Sequence, residues 1–131
     1  MEFRQGTGAV ERALVSVVDD DESVRESLPD LLTEFGFEAR AFSSAQEFLA
    51  SDCVNRTRCL ILDISMPGMT GFDLQRELQL RSLKIPIIFI TAHTERSLRS
   101  RAFEGGAASF LLKPFNDTAL LASLETALRV T

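Results

Sequence analysis

The side chains of this sequence that could carry out chemistry follow short apolar runs. Three aspartates come directly after residues 14–18, in the stretch VVDDDESVR. Further polar residues in such positions are Asp63, Ser65, Thr91, His93 and Lys113. Several carboxylates brought together repel one another unless a cation is bound among them. These residues are therefore candidates for a site that binds a divalent cation and a phosphoryl group.

The residue types favour Mg²⁺ and phosphoryl chemistry. Mg²⁺ prefers about six oxygen ligands, commonly one or two carboxylates with waters and phosphate oxygens. A lysine and a threonine hydroxyl would suit the remaining oxygens of a phosphoryl group, whose transfer requires little beyond positioning, a metal and positive charge. One of the carboxylates can itself be the nucleophile and form an acyl phosphate.

Such a site requires elements that bring these residues together, and the hydrophobic pattern predicts them. Continuous apolar runs at residues 14–18, 59–62, 87–90 and 109–112 indicate strands of a parallel sheet that is covered on both faces. The alternating segment 37–42 is typical of an edge strand.

The first predicted helix follows the acidic stretch. Asp21 and Glu22 are assigned to its start, where negative charge is favoured. Pro29 interrupts the helical pattern, which removes one backbone hydrogen bond and predicts a bend, and Gly36 follows as a cap. Apolar residues at helical spacing share one face. They are Val24, Leu28, Leu31, Leu32 and Phe35.

Four more helices are predicted between and after the strands. The second begins at a capping-box pattern, Ser44 followed by Glu47, and the third begins near Thr70. The fourth covers residues 94–104 with few apolar positions, so we expect thin packing, and the fifth begins at residue 116 or 117. The apolar residues assigned to these helices are Phe48, Leu49, Phe72, Leu74, Leu78, Leu80, Leu98, Ala102, Phe103, Leu120, Leu121, Leu124 and Leu128.

The alternation of strands and helices predicts a single α/β domain of five βα units in three layers. Parallel strands joined by right-handed crossovers leave their carboxyl ends at the same edge. Ligands of such sheets bind beyond those ends, at the point where the strand order reverses. The polar residues that follow the strands should therefore gather at one place.

Composition narrows the class of protein. A length of 131 residues suits one domain, and a net charge of −5 argues against direct binding of nucleic acid. No apolar run approaches the roughly 20 residues that span a membrane, and the N-terminus is not a signal peptide. We expect a flexible leader at residues 1–12 and a cytoplasmic protein in which Cys53 and Cys59 are ordinary reduced thiols.

Four sequence elements together resemble the receiver domain of two-component response regulators. They are, in order, VVDDDESVR, LILDISMPGMTGFD, PIIFITAH and FLLKPF. The resemblance covers nearly the whole chain and implies a receiver domain at residues 13–131 with a flavodoxin-like, doubly wound sheet in the strand order 2-1-3-4-5. The runs IPIIFITAH, GGAASFLLKPF and FSSAQEFL are most similar to receivers attached to LuxR-type helix-turn-helix output domains.

The resemblance also implies the roles of the acidic residues. Asp63 matches the phosphoacceptor, which attacks a phosphohistidine on a sensor histidine kinase. Asp19 and Asp20 match the acidic pair that, with Asp63, binds Mg²⁺ (or Mn²⁺). Ser65 matches the residue that gives its backbone carbonyl to the metal, and its side chain is free to vary.

The remaining candidates match residues that respond to the phosphoryl group. Thr91 matches the hydroxyl that moves onto it, and Lys113 matches the lysine that pairs with it. Pro114 matches a proline that usually follows a cis peptide bond. Phe110 matches a position where members of the family often have an aromatic side chain that swings inward when the threonine moves. The alternative is that Phe110 only packs in the core. His93 lies at a position thought to tune hydrolysis, or is simply an exposed loop residue.

The resemblance implies a switch rather than an enzyme, one that catalyses only its own phosphorylation and dephosphorylation. Phosphorylation would change the face formed by the fourth helix, fifth strand and fifth helix, which would support a homodimer. No direct contact with nucleic acid or membrane is expected. Since the sequence stops at Thr131, it is either a single-domain regulator or, as we favour, a receiver cut from a longer transcription factor.

Three other functions compete with this interpretation. A phosphohydrolase with an aspartate nucleophile would usually carry an acid two positions later, where this chain has Ser65. A pseudo-receiver would bind partners without phosphorylation, although all the site residues are present. A flavodoxin-like cofactor binder would require a phosphate-binding loop after the first strand, where the acidic stretch would repel phosphate unless a metal were present.

Overall fold

Five largely apolar segments form one parallel sheet, as predicted. The computed structural model describes residues 12–129. The strand order is β2-β1-β3-β4-β5, which confirms the predicted order and the edge position of the alternating strand. The strands are β1 (Leu14–Val18), β2 (Glu38–Phe42), β3 (Thr57–Asp63), β4 (Ile87–Thr91) and β5 (Ser109–Leu112).

Five helices cover the two faces of the sheet, and their buried residues place them in two layers. Helices α1 and α5 pack against one face, and α2, α3 and α4 pack against the other. A short 3-10 helix, Asp52–Asn55, follows α2. The helices are α1 (Glu22–Glu34), α2 (Ala45–Ala50), α3 (Gly71–Leu80), α4 (Arg96–Glu104) and α5 (Asp117–Arg129). The flavodoxin-like (βα)5 architecture is therefore the one predicted.

The two faces of the central strands feed two separate cores, because successive strand side chains point to opposite faces. Leu60, Leu62 and Phe89 lie in the core beneath α2, α3 and α4. Ile61 and Ile88, from the same strands, lie in the core beneath α1 and α5. Burial on both faces explains why these strands read as continuous apolar runs.

Helix ends are fixed by local hydrogen bonds. Asp21 is the N-cap of α1 and accepts the Ser23 N–H at 3.0 Å. Thr70 and Asp73 form a reciprocal capping box at the start of α3. At α2, Ser44 Oγ accepts the Glu47 N–H at 3.0 Å, but the Glu47 carboxylate binds the preceding residue instead of closing the predicted box.

Three further predicted details, all in α3 and α4, differ from the structure. Leu80 is 74% exposed, because it lies two positions after the buried Leu78 and so points away from the core. Phe103 is 41% exposed, and Ala102 is the only buried residue of α4. Helix α4 begins at Arg96 rather than at residue 94.

The two cysteines are free thiols inside the fold. Cys59 is completely buried in β3, and burial raises the pKa of its thiol to about 12. Cys53 is 1% exposed. Beside them the Thr57 hydroxyl donates to the Cys53 carbonyl oxygen at 2.7 Å and lies 2.7 Å from the Ser16 hydroxyl. This buried polar pair explains why β3 starts earlier than its apolar run.

Two expectations from the sequence concern the chain outside the sheet. The predicted leader, residues 1–12, lies outside the described residues except for Arg12. Among residues 12–129, none of the helices has the combination of length and hydrophobicity that crossing a bilayer requires.

Candidate functional site

Three carboxylates meet at the carboxyl edge of the sheet. In the register of the sheet Val18 pairs with Leu62 and Asp63 pairs with Ile90, so Asp19 follows β1 directly beside Asp63. One carboxylate oxygen from each of Asp19, Asp20 and Asp63 lies within 4.8 Å of the other two. Asp19 is fully buried, Asp63 is 5% exposed and Asp20 is exposed. The cluster therefore opens to solvent on the Asp20 side.

Asp19 is held on both sides by backbone contacts. Its N–H donates to the Phe42 carbonyl at 3.1 Å, and its Oδ1 accepts the Asp21 N–H at 2.9 Å. Arg25 Nη1 donates to the Asp19 carbonyl oxygen at 3.0 Å, which ties the first turn of α1 to the end of β1. The backbone that carries Asp19 and Asp20 is thus fixed from three directions.

Lys113 is the cation of the site. Its Nζ lies 2.8 Å from Asp19 Oδ2 and 3.9 Å from Asp63 Oδ1. The Lys113 N–H donates to the Thr91 carbonyl at 2.8 Å, which extends the pairing of β4 and β5 by one residue. The peptide bond between Lys113 and Pro114 is cis.

The environment shifts the pKa of Asp63 and of Lys113. Burial and the charge of Asp19 raise the pKa of Asp63 to about 7, against the opposing effect of Lys113. Burial lowers the pKa of Lys113, but the hydrogen bond to Asp19 and the charges of Asp19 and Asp63 outweigh it, so the pKa is raised. The site thus holds more negative charge than Lys113 balances.

The residues present fit a hard divalent cation. The ligand atoms that converge are carboxylate oxygens, with neither thiol nor imidazole among the three residues of the cluster. With all three carboxylates ionised, the single charge of Lys113 leaves two negative charges uncompensated, which a divalent ion would neutralise. Oxygen ligands with an open, solvent-facing side are the kind of site that Mg²⁺ prefers.

The other predicted site residues lie around this cluster. Thr91 is fully buried at the end of β4, and its Oγ1 accepts the His93 N–H at 3.1 Å. The exposed Ser65 lies with its N–H 3.4 Å from Asp63 Oδ1. Phe110 is 9% exposed in the core beneath α4, and the Arg99 guanidinium carbon lies 5.8 Å from the centroid of its ring.

Two residues of the site received no role from the sequence. A Cβ at Gly71 would lie 2.5 Å from the Asp63 carbonyl oxygen, so only glycine lets α3 begin against the backbone of Asp63. The glycine in TGFD was the available signal. Arg25 was visible in VVDDDESVR, but its bond to the Asp19 carbonyl depends on where α1 starts.

A cavity of about 630 Å³ adjoins the site between α1 and the segment after β5. Leu28 and Leu31 line one wall, Pro114 and Phe115 line the other, and Lys113 reaches its edge. The cluster therefore borders a cavity with a partly apolar lining.

Comparison with known proteins identifies the family. The profile of the response regulator receiver domain matches residues 15–125. Nodulation protein W of Bradyrhizobium diazoefficiens is 46% identical over 121 residues, which cover 92% of this chain and 53% of that protein. Transcriptional regulatory protein FixJ of Rhizobium meliloti is 40% identical over 113 residues, or 86% of this chain and 55% of that protein.

Solved structures agree with this assignment. The response regulator StyR is 47% identical with a TM-score of 0.82, covering 89% of this chain and 59% of that one. The structure of FixJ-N is 36% identical with a TM-score of 0.83, covering 93% and 98%. The chain spans about half the length of the curated relatives it matches. By its sequence, its fold and these relatives, the chain belongs to the response regulator receiver domain family.

Proposed function

We propose that this chain is a phosphorylation-controlled switch in which Asp63 accepts a phosphoryl group from a sensor histidine kinase. The observation that carries the proposal is the position of Asp63 itself. It is a nearly buried carboxylate that lies between Asp19, Asp20 and Lys113 at the carboxyl edge of the sheet. Members of the family have this function, and the cluster of three carboxylates beside Lys113 supports the proposal.

The proposed reaction is a nucleophilic attack by Asp63. A carboxylate oxygen of Asp63 forms a bond to the phosphorus of a phosphohistidine, and the phosphorus–nitrogen bond breaks. The electron pair of that bond leaves with the imidazole, and Asp63 becomes an acyl phosphate. Asp63 attacks in its ionised form, which burial and the charge of Asp19 disfavour by raising its pKa to about 7. A bound divalent cation would favour that ionised form.

The residues that would hold Mg²⁺ are Asp19, Asp20 and Asp63, together with the backbone carbonyl of Ser65. When bound, the ion would neutralise the cluster and the charge that develops on the phosphoryl oxygens. Arg25 contributes by keeping the Asp19 backbone in place.

Thr91 and Lys113 would bind the phosphoryl oxygens on the side of the site formed by the ends of β4 and β5. The Thr91 hydroxyl accepts the His93 N–H, so its proton remains available for donation. Lys113 would exchange part of its contact with Asp19 for the phosphoryl group. Movement of Thr91 would change the surroundings of Phe110 and thereby the face formed by α4, β5 and α5, a local charge event acting on a two-state element.

The partners follow from the proposed switch. A kinase delivers the phosphoryl group, and the α4–β5–α5 face supports a homodimer or an output domain. Relatives of this chain are named transcriptional regulatory proteins, and we place the receiver at residues 13–131 of a cytoplasmic regulator of transcription with a LuxR-type output domain. Its catalysis is limited to its own phosphorylation and dephosphorylation.

The decisive experiment compares the parent with Asp63→Asn. Adding Mg²⁺ with beryllofluoride, or with acetyl phosphate, is expected to change the spectrum of the parent. The spectrum is recorded by NMR or as the fluorescence of an attached probe. Asp63→Asn should give no such change, because the attacking oxygen is replaced by an amide. A Mg²⁺-dependent change that persists in Asp63→Asn would contradict the assignment of the phosphoacceptor.

The metal assignment has a matched pair of neighbouring aspartates. Asp20→Ala removes a proposed ligand and should weaken Mg²⁺ binding strongly. Asp21→Ala removes the cap of α1 and should lower stability while leaving Mg²⁺ affinity close to that of the parent. Equal losses of Mg²⁺ affinity in both variants would show that only local charge, and no direct ligation by Asp20, is involved.

A phosphohydrolase is the second candidate, and the position after the nucleophile argues against it. Such an enzyme would need an acid two residues after Asp63 to protonate its leaving group, and Ser65 stands there. Release of phosphate from small phosphomonoesters in repeated turnovers would favour the hydrolase over the switch.

A further inference from the structure

Helix α4 is held very differently at its two ends. The residues that lead into it, 92–95, and its first two residues are all exposed, and its N-cap residue Glu95 makes no side-chain cap hydrogen bond. This exposed segment directly follows Thr91, the proposed moving residue. The other end of α4 is attached to α3 by side chains. The asymmetry determines how a change at Thr91 would reach the rest of the helix.

Two glutamine amides of α3 bind the backbone at the end of α4. Gln79 Nε2 donates to the Gly105 carbonyl oxygen at 2.7 Å. Gln75 Nε2 donates to the Ala102 carbonyl oxygen at 3.4 Å. Gln75 is 7% exposed, and polar side chains buried to this degree are as a rule hydrogen-bonded. The Ala102 carbonyl also accepts the Ala107 N–H at 3.0 Å, so the Gln75 amide adds a second donor there, whereas Gln79 binds a carbonyl just beyond the last turn of α4.

Two further contacts join the same parts of α3 and α4. A Cβ at Gly105 would lie 2.5 Å from Gln75 Oε1, so the glycine leaves the space that the Gln75 amide fills. The Arg101 guanidinium carbon lies 4.3 Å from the centroid of the Phe72 ring, a cation–π contact between the helices. Each contact involves the second half of α4.

Apolar packing contributes a single small buried side chain to this attachment. Ala102 is the only buried residue of α4. A cavity of about 760 Å³ opens beside the contact between α3 and the C-terminal end of α4. Its lining includes Gln75, Gln79 and Gly105. With open space next to them, the polar contacts must supply much of what keeps the end of α4 in place.

We propose that Gln75 and Gln79 are positioning residues that make the C-terminal end of α4 a pivot. A displacement at Thr91 then turns α4 about that end and moves its first turns the most. Arg99, which covers the ring of Phe110, lies on the moving side. The inference rests on the proposed function and deepens it by stating which end of the helix stays fixed.

The first test needs neither metal nor phosphoryl group. Amide hydrogen exchange is compared among the parent, Gln79→Ala, Gln75→Met and the control Gln46→Ala. Gln46 is an exposed glutamine of α2 that makes no hydrogen bond to α4 in the described part of the chain. Exchange at the Gly105 and Gly106 amides should be roughly two- to tenfold faster in the first two variants, the loss expected for one hydrogen bond.

Unchanged exchange at the end of α4 in both variants would overturn the proposal. Gln75→Met keeps the volume of the side chain, and Gln79 is exposed, so both variants are expected to fold. Faster exchange over the whole domain, rather than at the end of α4, would show general destabilisation and would also overturn it.

The second test follows the response to Mg²⁺ and beryllofluoride by NMR. In the parent, amides of residues 92–99 should shift more than those of residues 102–106. In Gln75→Met the shifts should spread into residues 102–106, while Mg²⁺ affinity stays unchanged. Equal shifts at both ends of α4 in the parent would overturn the pivot alone. No response near Asp63 would overturn the proposed function instead, and the exchange test would still decide whether the glutamines hold the helix.

Discussion

Aspartates of this chain acquire opposite properties from their surroundings. Burial and the neighbouring charge of Asp19 raise the pKa of Asp63 to about 7. Hydrogen bonds from the Thr70 backbone and side chain lower the pKa of Asp73 below its usual range. The ionised form is therefore disfavoured at Asp63 and favoured at Asp73, and the same substitution should have opposite effects at the two positions.

We predict that Asp63→Asn stabilises the metal-free protein at about pH 8. The folded-state pKa of Asp63 is about 7 against an ordinary value of 3.8. Stability from this group is therefore present below the ordinary value and is lost as the pH rises through the folded-state pKa. Asparagine removes that loss, a gain on the order of 1–2 kcal/mol. Thermal unfolding of the parent and the variant in EDTA, from below the ordinary pKa up to about pH 8, measures this gain in stability.

Asp73→Asn is the matched control for that prediction. Its charged form is the one bound in the folded state, so its contribution is present above the ordinary pKa and is lost as the pH falls through the lowered one. Asp73→Asn should therefore lower the unfolding temperature at neutral pH. A decrease in both variants would mean that the charge of Asp63 does not destabilise the fold.

Lys113 competes with a metal for the same carboxylates. Because its Nζ lies 2.8 Å from Asp19 Oδ2, Lys113→Met should leave the cluster more negative and tighten Mg²⁺ binding by roughly three- to tenfold. Lys84→Met removes an exposed lysine that precedes β4, at the opposite edge of the sheet, and should leave the affinity unchanged. Weaker Mg²⁺ binding in Lys113→Met would show that Lys113 organises the carboxylates rather than competing for them. Isothermal titration distinguishes these results.

At the scale of elements, the sequence predicted what depends on local pattern. The continuous apolar runs located the three inner strands β1, β3 and β4, because burial on both faces favours apolar residues along them. The fourth run, β5, is an edge strand and is only partly buried. The sequence did not predict the early start of β3. Thr57 is a polar residue whose burial is possible because its hydroxyl donates to the Cys53 carbonyl oxygen across a turn. The exposure of Leu80 could have been anticipated from its spacing from Leu78.

The sequence did not predict side-chain contacts between helices that are distant in the chain. The sequence indicated the charged residues Asp19, Asp20, Asp63 and Lys113 because each lies at or just after the end of a strand, and the sheet brings them together. It gave no role to Gly71 or Arg25, whose contacts depend on where two helices begin. The bond from Gln79 to Gly105 joins residues 26 apart on two helices, and only the packing angle of those helices decides it. Periodicity carries no information about that angle.

We predict that Gly71→Ala disturbs the site through the start of α3. The new Cβ would lie 2.5 Å from the Asp63 carbonyl oxygen and 2.9 Å from the Ile64 Cα. Helix and strand must separate, which should cost about 1–3 kcal/mol of stability and weaken Mg²⁺ binding. Urea unfolding and Mg²⁺ titration measure the two effects.

Gly36→Ala separates backbone strain from displacement of the site. Gly36 has a φ of 98° and nothing within 4 Å of an added Cβ. Its substitution should reduce stability because alanine disfavours that conformation, and Mg²⁺ affinity should be unaffected. Unaltered Mg²⁺ affinity in Gly71→Ala as well would show that α3 and Asp63 adjust independently.

At the scale of the whole molecule, the proposed input and output lie at different places on one sheet. The acid cluster lies at the carboxyl edge of the central strands, whereas the proposed partner face includes α4 and the edge strand β5. Phe103 and Leu112 expose 41% and 46% of their surfaces on that face. Apolar side chains exposed on an outer strand and its helix are suited to burial against a second protein surface.

We predict that Leu112→Asp prevents dimerisation induced by Mg²⁺ and beryllofluoride. A buried charge at such an interface lacks a partner, so the dimer should weaken at least about tenfold. Leu80→Asp makes the same change at a leucine that is 74% exposed on α3 and should have no effect. Analytical ultracentrifugation measures both, with Mg²⁺ affinity as the check that the site is intact. A dimer that survives Leu112→Asp would place the partner surface elsewhere.

Because the two thiols are buried, their rate of labelling by a thiol reagent reports how often the fold opens. Cys53 and Cys59 are both shielded from solvent, and the Cys59 thiol stays protonated at any physiological pH. A thiol reagent can therefore reach them only after the surrounding structure opens. The rate of labelling should slow when Mg²⁺ binds, because a ligand held only by the folded form makes opening rarer. Occupancy of a site at the sheet edge would thus be readable, without any introduced probe, from chemistry at residues that never touch it.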